Sequence, residues 1–158
     1  MAAINRILLP VDFSPCSRAA FEYGVSLAAQ LGASLDVLHV LVPPNFVERD
    51  LAGALAPPTT FKEYERTQAA REMENFLAAS SLKGKPGIKA RIEEGEPAAT
   101  IAKIAEQRGC ELIVMGTHGR TGLARVLLGS VAEKVVRHAP CPVLTVRLQE
   151  KAAVARVS

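Results

Sequence analysis

Leu112-Ile113-Val114-Met115-Gly116-Thr117-His118-Gly119-Arg120-Thr121-Gly122, continued through Leu123 to Leu128 and into Gly129-Ser130-Val131-Ala132, reads as strand, loop and helix in succession. The apolar run Leu112 to Met115 suits a strand covered on both faces, and Gly116 ends it. Three glycines within seven residues let the backbone turn tightly and approach a ligand with no Cβ in the way. Successive N–H groups in such a turn form an anion nest, and Gly129-Ser130 stands where a helix dipole favours phosphate. Arg120 and Arg125 add positive charge nearby.

Working outward, the same alternation recurs along the chain. Ile4 to Pro10 is a short aliphatic run that ends at Val11-Asp12, and Ser14-Pro15 supplies an N-cap and a first-turn proline. Phe21, Gly24, Val25, Ala28 and Leu31 follow at helical spacing, and Gly32 stops the helix. Leu35 to Val42 is a second strand. Pro43 to Thr60 reads as a long loop, closed by a capping box at Thr60-Phe61-Lys62-Glu63 that opens a helix running toward Leu82.

Ile88 to Glu93 is a third strand, with Ile88, Ala90 and Ile92 on one face. Glu96-Pro97 opens a helix with the stripe Ala98, Ile101, Ala102 and Ala105, closed by Gly109. Beyond the quoted stretch, Val131, Ala132, Val135 and Val136 mark a fourth helix, and Val143 to Leu148 a last strand. Five strands alternating with four helices predict an α/β fold: an open, doubly wound, mainly parallel sheet with helices on both faces. Residues 1–148 form one domain in this reading, and 149–158 a frayed tail.

Composition agrees. The 158 residues are close to the roughly 150 expected of one domain. A chain of that size buries about 70% of its unfolded surface, so one core suffices without staples. Lys and Arg exceed Asp and Glu by 19 − 16 = 3, too small and too spread an excess for nucleic acid, and Trp is absent. The apolar runs fall short of the ~20 residues that a membrane helix needs. Cys16, Cys110 and Cys141 are odd in number and lack C-x-x-C spacing, which argues against a disulfide framework or a zinc site. A cytoplasmic setting is expected.

Ligands of such sheets sit outside the carboxyl ends of the strands, where the winding reverses. The loop there is G-x-x-G-x-x-G after the fourth strand. It is neither G-x-x-x-x-G-K-[ST] nor the G-x-G-x-x-G of a first βα turn. Gly116-x-x-Gly119, nine residues, then Gly129-Ser130 instead resembles the nucleotide-binding signature of the universal stress protein family. Ile7-Leu8-Leu9-Pro10-Val11-Asp12-Phe13-Ser14 is similar to that family's first strand and turn, and His138-Ala139-Pro140-Cys141-Pro142-Val143-Leu144 to its closing segment. The likeness runs from about Ile4 to Arg147.

The resemblance implies a strand order of 3-2-1-4-5 and a homodimer joined through the last strand. It implies a site for ATP or another adenine nucleotide, with Mg²⁺ or Mn²⁺ carried on the phosphates. Asp12 would then bond the ribose or adenine, and Pro10, Val11, Val40 and Met115 would wall the base. Gly116, Gly119, Gly129, Ser130 and Val131 would cradle the phosphates beside His118 and Arg120. Other roles stand alongside: Asp12 can cap the following helix, and Ser130-Val131-Ala132-Glu133 is itself a capping-box pattern. His39 and His138 read as structural.

An ATP-binding stress-response protein without dedicated catalysis is the function implied. A slow ATPase or self-phosphorylating enzyme using Ser130, Thr117 or Thr121 is one rival. A structural dimer module without nucleotide is the other.

Overall fold

The computed structural model describes residues 3–43, 58–80, 87–118 and 128–148. Its strands are β1 (Arg6–Pro10), β2 (Ser34–Leu41), β3 (Ile88–Glu94), β4 (Leu112–Gly116) and β5 (Val143–Val146). They form one sheet in the order β3-β2-β1-β4-β5, and each neighbouring pair is parallel. The helices between them are α1 (Pro15–Leu31), α2 (Pro58–Ala78), α3 (Pro97–Arg108) and α4 (Ser130–His138).

The period of two along each strand sends apolar side chains to both faces. Ile7, Leu9, Leu35, Val37, Leu112 and Val114 pack beneath α1 and α2 with Phe21, Ala28, Met73 and Phe76. Leu8, Leu38, Ile113 and Met115 face the other way, onto Ala98, Ile101, Ile104, Ala105, Ala132 and Val135 of α3 and α4. The sheet is therefore wound on both sides, with the reversal between β1 and β4.

Helix boundaries follow the local chemistry with two differences. Ser14 caps α1, its hydroxyl accepting from Ser17 N–H at 3.2 Å, and Gly32 ends it at φ 68°. Glu96 caps α3 by accepting from Ala99 N–H at 2.7 Å, and Gly109 ends it at φ 62°. α2, however, begins at Pro58, so Thr60-Phe61-Lys62-Glu63 lies inside its first turns. The proline takes the entry position because its missing N–H costs nothing there. Gly129, with no side-chain bond, caps α4, and Ser130 is that helix's first residue.

Two apolar stripes are narrower than their spacing suggests. On β3, an edge strand, Ala90 is exposed while Ile88 and Ile92 are half-buried. On α4, Val136 is 49% exposed, because one helix face is enough to cover this side of the sheet. The segment 44–57 and the tail 149–158 lie outside the described residues.

Candidate functional site

β1 and β4 end side by side, and the chain leaves them toward opposite faces of the sheet, leaving a crevice between. The turn after β1 is held from several directions. Val11 N–H donates to the Leu38 carbonyl at 2.8 Å, continuing the sheet one residue past the strand. The Asp12 carboxylate accepts from Ser14 N–H at 3.0 Å, and Asp12 N–H donates to Ser17 Oγ at 3.3 Å. Asp12 thus builds the turn, while the capping bond itself belongs to Ser14.

Phe13 between them adopts φ 65°, a left-handed conformation that costs a non-glycine residue about 1–2 kcal/mol. Its ring accounts for that cost. It lies 4.4 Å from the His39 ring and 5.6 Å from that of Phe76. The His39 ring in turn donates from Nδ1 to the Val11 carbonyl at 2.8 Å. His39 thereby holds Val11 at the end of β1, and it also lines the cleft over these strand ends.

On the β4 side, Thr117 is the junction. Its N–H donates to the Val146 carbonyl at 3.0 Å, and its own carbonyl accepts from Gly129 N–H at 2.6 Å. Its buried hydroxyl bonds His118 Nδ1 at 2.8 Å. The ends of β4 and β5 and the start of α4 are thereby locked together. Gly116 has a packing reason to be glycine: a Cβ there would lie 2.9 Å from Cys16 Sγ and 3.1 Å from the Cys16 carbonyl group. Close approach of α1 requires that glycine whether or not a ligand is present.

A cleft of about 610 Å³ opens over these strand ends. Pro10, Val11, Asp12, Val40, Met115, Gly116, His118, Gly129, Ser130 and Val131 all line it, so motifs separated by more than a hundred residues meet around one space. Gly119 and Arg120 lie outside the described residues. Leu38, Val40, Ile101, Met115 and Ala132 supply an apolar wall. α4 presents its N-terminus to the same space, and its cap contributes no side-chain bond to the first-turn N–H groups.

Sequence reasoning passed over a further wall. Tyr64, Gln68 and Glu72, with Glu65 and Ala69, bring one face of α2 to the cleft. The signal was present: Tyr64, Gln68 and Glu72 recur every four residues and so share a helix face. Their polar character made that face look solvated.

A profile of the universal stress protein family matches residues 3–147. Universal stress protein MJ0531 of Methanocaldococcus jannaschii is 34% identical over 147 residues, covering 93% of this chain and 84% of that protein. The solved structure of MJ0577, a second protein of that organism, superposes with a TM-score of 0.78 at 31% identity, over 94% of this chain and 99% of that one. A universal stress protein solved in complex with cAMP has a TM-score of 0.61 at 24% identity, over 92% of this chain and 98% of that one, a likeness of fold. With the family matched along nearly its full length and a relative this similar, the chain belongs to the universal stress protein family.

Proposed function

We propose that the cleft binds an adenine nucleotide, ATP in the first instance, and that the protein acts as a nucleotide-dependent stress-response regulator. The observation that carries this reading is the meeting of three unlike surfaces in one cleft. The glycine-capped N-terminus of α4, Asp12 in its turn and an apolar wall all line it. The helix end suits phosphate oxygens, the carboxylate suits ribose or base donors, and the wall suits a flat base. The volume of about 610 Å³ lies within the range of small-ligand pockets.

His118, steadied by Thr117, stands beside the phosphate end, and Gly119 and Arg120 continue the same loop in sequence. A divalent cation would ride on the phosphates, as Mg²⁺ keeps several waters and takes few protein ligands. The reading includes a cytoplasmic setting and a homodimer through β5. That a protein of the same fold was solved with cAMP is compatible with adenosine as the common element.

The test is thermal unfolding of nucleotide-stripped protein with ATP and Mg²⁺. Ligand at about 100 times its dissociation constant adds roughly 2.7 kcal/mol. At ~2–4 °C per kcal/mol for a chain of this size, Tm should rise by about 5–10 °C. No rise at millimolar ATP, together with no heat of binding by calorimetry, would overturn the proposal.

A further inference from the structure

All three cysteines are free thiols, and they divide by position. Cys16 lies at the cleft end of the sheet, its Sγ 3.6 Å from the Val146 carbonyl and 3.9 Å from Thr117 Oγ1. Cys110 and Cys141 lie at the other end, outside the cleft lining. Cys110 stands two residues before β4 and Cys141 two residues before β5, and these strands are parallel neighbours. Ile113 pairs with Val143, and Ile113 N–H donates to the Pro142 carbonyl at 3.0 Å.

Both thiols belong to the apolar cluster beneath α3 and α4. Counted back from the Ile113–Val143 pair, they differ by one residue in register. Both lie just outside the ends of two neighbouring strands that run about 4.8 Å apart. Disulfides bridge Cα atoms roughly 4.4–6.8 Å apart.

We infer that Cys110 and Cys141 are a reversible dithiol–disulfide pair, oxidised by a low-molecular-weight disulfide such as glutathione disulfide. Cys141 is partly exposed and Cys110 is 6% exposed, which sets the order of events. The Cys141 thiolate attacks one sulfur of glutathione disulfide, forming a mixed disulfide and expelling one glutathione thiolate. The Cys110 thiolate then attacks Cys141 Sγ and expels the second. Two protein thiols and one glutathione disulfide become one protein disulfide and two glutathione molecules, with the two thiol protons passing to the departing thiolates.

The surroundings set the conditions. Burial pushes the Cys110 thiol up to about 11, with Asp36 of β2 and Cys141 raising it further and Arg6 of β1 and Arg108 of α3 opposing. Burial also raises Cys141. Thiolate is the attacking species, so the pair is quiet at neutral pH and responds to a strong or lasting oxidative load. The first step should quicken by about tenfold per pH unit between pH 7 and 8.

The experiment holds the full-length protein in graded mixtures of oxidised and reduced glutathione, traps remaining thiols with an alkylating agent, and maps the linked peptides by mass spectrometry. The expected product of the wild type, and of Cys16→Ser, is a chain with Cys110 joined to its own Cys141. Cys110→Ser should stop at glutathione on Cys141, and the reductant should restore every species. A wild type that accumulates glutathione on Cys141 while Cys110 stays alkylatable would overturn the inference. So would a linkage through Cys16, or no oxidation across the series. The wild-type measurement decides independently of how the variants fold, and of whether nucleotide binds.

Discussion

A Cβ built on Gly116 meets Cys16 Sγ at 2.9 Å and the Cys16 backbone carbon and oxygen at 3.1 Å. Gly116→Ala should therefore destabilise the fold by about 1–3 kcal/mol, as overpacking does, and lower Tm with or without nucleotide. Adding Cys16→Ala should recover only part of the loss, because the backbone contacts remain. Full rescue in thermal unfolding would show that the sulfur alone sets the constraint. Gly129 has a different reason. Its φ of −69° and ψ of 163° are open to any residue, so nothing in its backbone demands glycine. Gly129→Asp should supply the missing side-chain cap and a favourable charge at the helix N-terminus, raising apo stability by about 0.5–1 kcal/mol. The same carboxylate would confront the phosphates, and affinity for ATP with Mg²⁺ should fall at least tenfold by calorimetry. Opposite signs in stability and binding separate a phosphate site from a merely structural cap. Unchanged affinity would place the phosphates elsewhere.

At the scale of elements, legibility followed the strength of the local signal. Ser14-Pro15 with Gly32, and Glu96-Pro97 with Gly109, bracket α1 and α3 because cap and stop chemistry is local. The start of α2 is harder to read, because Thr60-Phe61-Lys62-Glu63 imitates a cap two residues past the true entry at Pro58. The left-handed Phe13 could not be read, since its strain is offset by His39 and Phe76, distant in sequence. The α2 wall of the cleft was invisible for the same reason: periodicity gives a face and says nothing of what it faces. Capping chemistry also has a pH signature. The Ala99 N–H holds the Glu96 carboxyl below its ordinary 4.5, with Ala98 N–H and Lys134 adding to it. Asn5 N–H, then the Asn5 side chain, does the same for Glu111 at the entry to β4, with Arg6 contributing. A carboxyl lowered in the folded state stabilises it fully above the ordinary value and loses that contribution as pH falls through the lowered one. Urea melts from pH 7 to pH 3 should show stability declining below about pH 4.5, and less steeply in Glu96→Gln and Glu111→Gln. Equal slopes in wild type and both variants would mean that other carboxyls govern the acid limb.

For the molecule as a whole, the two sheet edges are unlike. β3 carries Lys89, Arg91, Glu93 and Glu94, and Arg66 of α2 donates to the Ile92 carbonyl at 3.3 Å. Charges along an edge and a side chain laid over its carbonyls discourage pairing with another chain. β5 has only Val143-Leu144-Thr145-Val146, each half-buried, at the opposite edge. Its hydrogen-bond directions can be assigned. The Pro142 and Val146 carbonyls accept from Ile113 and Thr117 of the β4 side, so the even-numbered residues face inward. Alternation then turns the N–H and C=O of Val143 and Thr145 outward. A symmetric homodimer in which two β5 strands meet antiparallel about a two-fold axis would pair these groups and cover the apolar edge. Thr145→Pro removes an outward N–H and spares the inward ladder, and proline is tolerated on an edge strand. Equilibrium sedimentation at tens of micromolar should find a wild-type dimer and a Thr145→Pro monomer with unaltered helical content. A wild type that sediments as a monomer, with and without ATP, would rule this assembly out. A variant that stays dimeric would move the interface away from β5.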